Sequence, residues 1–169
     1  MMAVNGKEAT QKWARGLVNN LARPPKGGDR DQIKAAAAGQ CDVAVANTYY
    51  YGTMLSDKKN VAQLEAAKKM AIFWPNQNDR GAHVNVSGAG ISKYSKNKKE
   101  AFQLLEFLLS KESQDWYASV NHEYPVSQDA ALSGLVASWG TFESDTLNLS
   151  RLGEFNAEAV KIRDRAGWK

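Results

Sequence analysis

Asp42-Val43-Ala44-Val45-Ala46-Asn47-Thr48-Tyr49-Tyr50-Tyr51-Gly52 runs from small and β-branched apolar residues straight into three tyrosines. A short apolar run bounded by turn residues predicts a buried parallel strand. The residues beyond it, through Met54 and Leu55, predict the start of a helix. In an open α/β sheet, ligands bind just past the C-terminal ends of the strands. The tyrosines therefore stand where such a fold holds a ligand. Phenol is ordinarily a neutral donor and acceptor with a pKa of about 10. Beside a strongly charged cation it gives up its proton and becomes a hard anionic oxygen ligand. Hard oxygen suits hard cations, and ferric iron is well able to drive that ionisation. Two adjacent phenolates reach one ion only where the backbone leaves the regular strand, because strand neighbours point to opposite faces. A strand-to-helix turn relieves this constraint. The competing reading is that three tyrosines at a strand end simply pack.

Working outward, residues 7–22 predict an amphipathic helix with Trp13, Leu17, Val18 and Leu21 on one face and Trp13 as a core anchor. The loop Arg23-Pro24-Pro25-Lys26-Gly27-Gly28 follows. Asp29 reads as the N-cap of a second helix ending near Ala38, with Gly39 just beyond it. After the tyrosines, residues 61–70 read as a helix, residues 71–75 as a short strand stopped by Pro75, and residues 82–91 as another strand. Gly88-Ala89-Gly90 lacks the spacing of a dinucleotide-binding loop. Asn97 caps a helix whose apolar face carries Ala101, Leu104, Leu105, Leu108 and Leu109. A further helical turn begins at Ser113, and residues 149–166 form a helical tail. Residues 130–135 read as short and irregular. His122 and Glu123 precede Tyr124-Pro125 in an extended loop. As adjacent residues they read as loop rather than as a metal pair.

The composition is that of a globular protein, 43% hydrophobic and 24% charged over 169 residues. The net charge of +4 is spread over lysine pairs and the stretch from Lys93 to Lys99. That spread fits a solvated surface rather than a nucleic-acid patch. No apolar run is long enough to span a membrane. Met1 to Glu8 shows no basic region followed by an apolar one, so it does not read as a signal peptide. Cys41 has no cysteine to pair with and reads as a small buried residue; one cysteine and two distant histidines exclude a Cys-His metal cluster. No nucleophile elbow, phosphate loop, zinc signature or paired-carboxylate motif is present. Tyrosine acid-base catalysis needs a nearby cation to lower the phenol pKa, and no local motif supplies one. The chain does not read as an enzyme.

Four stretches carry a resemblance: Pro24 to Lys34, Ala38 to Tyr51, Gly81 to Gly90, and Asn121-His122-Glu123-Tyr124-Pro125-Val126. In this order they resemble the C-terminal part of the ferric-iron substrate-binding proteins of ABC transporters, the ferric-binding-protein family, in its cyanobacterial-type branch. The resemblance implies an α/β fold of the periplasmic-binding-protein type II kind, two lobes joined by hinge strands, of which this chain holds the C-terminal part. Residues 1–75 would belong to the second lobe with the tyrosine motif. Residues 76–130 would cover a hinge crossing and part of the first lobe, and residues 131–169 a helical return to the second. The family's paired tyrosine ligands fall on Tyr49 and Tyr50. Tyr51 falls beside them as a packing residue, while a one-residue shift would make the pair Tyr50 and Tyr51. Asn47 and Thr48 fall where a synergistic anion or the site's second shell is expected, and the glycines of residues 81–91 are hinge candidates. The implied cargo is Fe(3+), the implied setting periplasmic, and the implied partner an ABC permease in the membrane. The family's N-terminal part has no counterpart here. A complementary N-terminal half or a second copy is therefore a further expected partner, and no nucleic acid is. The alternatives are a solute-binding protein for an oxyanion or other small anion, and a truncated remnant without function.

Overall fold

The computed structural model describes residues 1–168; Lys169, at the end of the expected 131–169 segment, lies outside the described residues. The described chain forms α1 (Met2–Asn19), α2 (Asp29–Ala37), α3 (Thr48–Ser56), α4 (Val61–Lys68), α5 (Lys98–Leu108), α6 (Lys111–Val120), α7 (Gly134–Ala137) and α8 (Ser150–Arg165). It divides into two compact units: Met1–Gly27 with the segment from Thr146 onward, and Gly28–Asp145.

In the first unit α1 packs on α8. Gly6, at φ +76°, breaks the regularity of α1, and Thr10 Oγ1 donates to the freed Gly6 carbonyl at 2.7 Å. The buried residues are the small Thr10 and Ala14 on α1 and Ile162 on α8. Trp13 is not the expected core anchor. It is 45% exposed and lies at the edge against Trp168, 6.5 Å between ring centroids. Small side chains let two helices approach closely, and the large ring is displaced to the rim. Glu158 links the helices through Lys7 at 2.8 Å and lies 3.2 Å from Arg165.

In the second unit α2, α3 and α4 meet over Ile33, Met54 and Ala67, with Ala46, Tyr51, Leu55, Ala66 and Met70 packed around them. Met54 is fully buried. Met54→Ala is therefore expected to cost about 2–5 kcal/mol of unfolding free energy, read as a lower urea midpoint at unchanged m-value. A loss within experimental error would place the core elsewhere. Trp74 stacks on Phe142 at 4.0 Å, and Tyr124 and Trp139 complete an aromatic cluster around that pair. Gln114, buried on α6, donates to the Leu108 carbonyl and accepts from Val126 N–H, fixing the chain on both sides of the helix.

The structure departs from the sequence reading in its strands. Residues 42–47, 71–75 and 82–91 form no strand, and one isolated parallel bridge, Ala82 with Ser144, is found among the described residues. Val45 and Phe73 are each 85% exposed. A strand exists only through a neighbour's N–H and C=O groups, and the described residues place no such neighbour alongside. Helix α5 forms as its periodicity predicts, yet it buries no residue, and Leu109 at its end is 61% exposed. Cys41 is half-buried rather than buried. Gly28, not Asp29, caps α2: Asp31 accepts from Gly28 N–H at 2.9 Å, which frees the Asp29 carboxylate. A four-residue helix, α7, starts inside the stretch expected to be irregular and is capped by Ser133.

Candidate metal centre

The tyrosine run lies in the first turn of a helix. Asn47 is the N-cap of α3, with extended backbone, and Thr48, Tyr49, Tyr50 and Tyr51 follow as its first four residues. The helical turn rotates neighbouring side chains by about 100° rather than the 180° of a strand, so adjacent rings can lean together. The Tyr49 and Tyr50 rings lie 4.4 Å apart, centroid to centroid, with planes tilted by 42°. Tyr51 turns inward. Its hydroxyl donates to the Met70 carbonyl at 2.8 Å, and its ring lies 6.0 Å from Trp139. Burial pushes its phenol pKa up, so Tyr51 is held neutral as a strut of the core.

A polar network fixes the start of α3. Asp29, the first residue of α2, accepts from Asn47 N–H at 2.7 Å and from Asn47 Nδ2 at 3.1 Å. Asn47 Oδ1 in turn accepts from Asn85 Nδ2 at 3.1 Å. Two residues further along, Ser87 Oγ donates to the Glu123 carboxylate at 3.2 Å. Asn47, expected as an anion or second-shell residue, thus has both of these donors engaged by a carboxylate of the chain itself. The hydrogen bond with the Tyr50 side chain holds the Tyr49 phenol above its ordinary pKa; desolvation and the negative charges of Tyr50, Asp29 and Glu123 act in the same sense. Tyr49 is thus a neutral phenol at neutral pH, and displacing its proton would take a strong cation. Among the described residues no cluster of three or more His, Cys, Asp or Glu side chains is arranged to hold a metal.

His122 sits behind this turn. Its φ of +58° is unusual for a residue with a side chain, and it is 7% exposed. A Cβ built on Gly52 would lie 2.6 Å from His122 Cβ, so α3 and the His122 loop meet where only glycine fits. His122 Nδ1 is buried without a hydrogen-bond partner, and burial lowers the imidazole pKa. The unfolded chain therefore binds this proton more readily than the folded one. The corresponding stability is present above about pH 6.5, the ordinary imidazole value. It is lost as the pH falls through the lowered folded value. The urea midpoint is expected to drop on acidification from neutral pH to pH 5, and to drop less in His122→Gln; parallel profiles would exclude this histidine as the titrating group.

Sequence reasoning singled out the tyrosines but missed Asp29, Asn85, Ser87 and Glu123 as their surroundings. Their signal is tertiary: Asp29 and Asn47 are brought together only when α2 packs against α3.

These features define a class. The family model described as bacterial extracellular solute-binding protein matches residues 3–144, and the chain belongs to that family. Its relatives are iron proteins. It is 44% identical over its whole length to iron uptake protein A1 of Synechocystis sp., covering 47% of that protein. It superposes with a TM-score of 0.94 on the ferric binding protein from Campylobacter jejuni, at 42% identity, with 99% of this chain matched to 53% of that one. The same TM-score and coverage relate it to a Trichodesmium protein solved in complex with iron and citrate. The fold is accordingly that of the type II periplasmic ferric-binding proteins, and the chain spans about half the length of the relatives it matches.

Proposed function

We propose that this chain carries the tyrosine half of a periplasmic ferric-ion-binding site and serves an ABC-type iron uptake system as part of its solute-binding component. The observation that carries the reading is the side-by-side placement of Tyr49 and Tyr50 in the first turn of α3. As phenolates they would be hard anionic donors for Fe(3+), with Asn47 and Thr48 supporting the turn from its N-terminal side. Hard oxygen ligation favours ferric over ferrous iron, which makes reduction a route to release. The role is capture and delivery rather than catalysis.

Two phenolates leave coordination positions open. In this reading they are filled by water, by a carboxylate-bearing anion such as citrate, and by donors from a polypeptide corresponding to the part of the relatives that this chain does not match. That polypeptide, or a second copy of this chain, is a partner, as is the membrane permease. In this reading residues 1–75 belong to part of the second lobe, residues 76–130 to the hinge crossing and part of the first, and residues 131–169 to a helical return to the second.

The experiment is a ferric titration of the chain followed by visible absorption. A purple-red phenolate-to-iron charge-transfer band that saturates at one ion per chain is expected. A folded chain that shows no band, alone or with the complementary polypeptide, would remove iron as the cargo and leave a small anion bound through neutral phenols.

A further inference from the structure

We propose that residues 42–47 and 71–75 form a docking surface for a second polypeptide that adds β-strands to them. Its occupant is the counterpart of the part of the relatives that lies outside the match. The inference rests on the proposed function for the identity of that partner, and adds the surface that holds it.

Both segments keep the period of a strand without its ladder. Ala44 and Ala46 are half-buried, whereas Val43 is 77% and Val45 85% exposed. Ile72 and Trp74 are half-buried, whereas Phe73 between them is 85% exposed. Side chains that alternate in this way belong to an extended backbone with one face against the protein. The covered face meets the interior of the second unit. Ala46 packs against Ile33, Met54 and Ala67, as does Met70 just ahead of Ala71, and Trp74 stacks on Phe142. The open face carries Val43, Val45 and Phe73 and is as apolar as the covered one. Strands apolar on both faces are those that a sheet buries from both sides.

The backbone points to the same occupant. Among the described residues, residues 43–46 and 71–73 make no backbone-to-backbone hydrogen bond. Once water is displaced, such N–H and C=O groups need partners. A lipid surface or a docked helix would cover Val43, Val45 and Phe73 but leave those groups unpaired, which is costly. An added strand supplies both needs: main-chain hydrogen bonds and a cover for the outward side chains. A second copy of this chain offers only the same two segments. The solved relatives offer more, because 99% of this chain superposes on 53% of the Campylobacter protein. The rest of such a molecule is polypeptide of the fitting fold.

The test is hydrogen exchange and light scattering in iron-free buffer. The chain is measured by itself and co-expressed with the part of Synechocystis iron uptake protein A1 that lies outside the match. By itself it is expected to be monomeric, with fast exchange at residues 43–46 and 71–73. With the A1 part it should form a one-to-one complex in which these amides exchange at least about a hundredfold more slowly. Val45→Lys and Phe73→Lys lie at exposed positions and should leave the urea midpoint of the chain by itself unchanged. Each should weaken the complex by about tenfold or more. Failure of the complex to form would overturn the inference. So would a complex in which both segments still exchange fast, or one that both lysine variants leave at full strength. Slow exchange in the chain by itself would also overturn it, and in a dimer would give the surface to a second copy. Protection by phosphatidylglycerol vesicles in place of the A1 part would give the surface to a membrane and overturn it as well. A complex that forms as expected but shows no charge-transfer band with ferric ion would overturn the iron reading and leave this inference standing.

Discussion

Replacing Tyr49 or Tyr50 with phenylalanine is expected to abolish the ferric charge-transfer band, or to leave a residual one, and to weaken iron binding by more than about a hundredfold. Outer-shell partners of metal ligands already cost 10–100-fold when removed, and removing a ligand costs more. The two single variants should resemble each other and the double variant. The pair acts as a unit: its rings lie 4.4 Å apart, and one phenol offers only one hard donor. Phenylalanine keeps the ring, so packing and fold are preserved and the loss is assignable to the oxygen. Tyr51→Phe should behave in the opposite way. It removes the hydrogen bond to the Met70 carbonyl and lowers stability by about 1 kcal/mol while leaving the band in place. Iron binding should release the Tyr49 proton, because the raised pKa of this phenol keeps it protonated beforehand. Apparent affinity at fixed competitor therefore rises with pH. A band that survives in Tyr49→Phe but disappears in Tyr50→Phe and in Tyr51→Phe would move the ligand pair by one residue.

The second large effect is on stability, at Gly81. A Cβ there would lie 2.6 Å from the Ser144 carbonyl carbon and 2.7 Å from the Glu143 carbonyl oxygen, both backbone atoms, and the residue has φ +86°. Two costs add: about 1–2 kcal/mol for a side chain in the left-handed region and about 1–3 kcal/mol for overpacking. Gly81→Ala should therefore lose about 2–5 kcal/mol, read by urea denaturation. The contact is a closed seam. Ala82 N–H donates to the Glu143 carbonyl, Asp145 N–H donates to the Ala82 carbonyl, and Gln77 bonds both the N–H and the carbonyl of Glu143. Gly88→Ala and Gly90→Ala are the controls. A Cβ at either meets nothing within 4 Å, so they should be near neutral. Equal losses at all three positions would mean that backbone flexibility, not the close approach at Gly81, sets the cost.

Local chemistry made most of the helices legible. The apolar periodicity of α5, the composition of α4 and the charge-rich amphipathic α8 follow from spacings of three and four residues, which depend on no partner. The tyrosine run was legible for the same reason, because an unusual side-chain cluster is visible wherever the chain places it. The strands were not. The alternation in residues 82–91 and the apolar run in residues 42–47 are patterns that a sheet uses, but a sheet is made by neighbours distant in the chain. Among the described residues those neighbours reduce to one bridge.

By itself, the amino-acid sequence determined that this protein has amphipathic helices and a tyrosine-bearing turn after an apolar run, because those depend on residue type and short spacing. Only the tertiary structure decided how the three tyrosines divide. Tyr49 and Tyr50 stand together while Tyr51 is bound to Met70, because α3 turns one face to the Met54 core and the other away from it. It also decided that Asp29 serves Asn47 rather than the cap of its own helix, since a carboxylate goes to the donors that packing brings within reach.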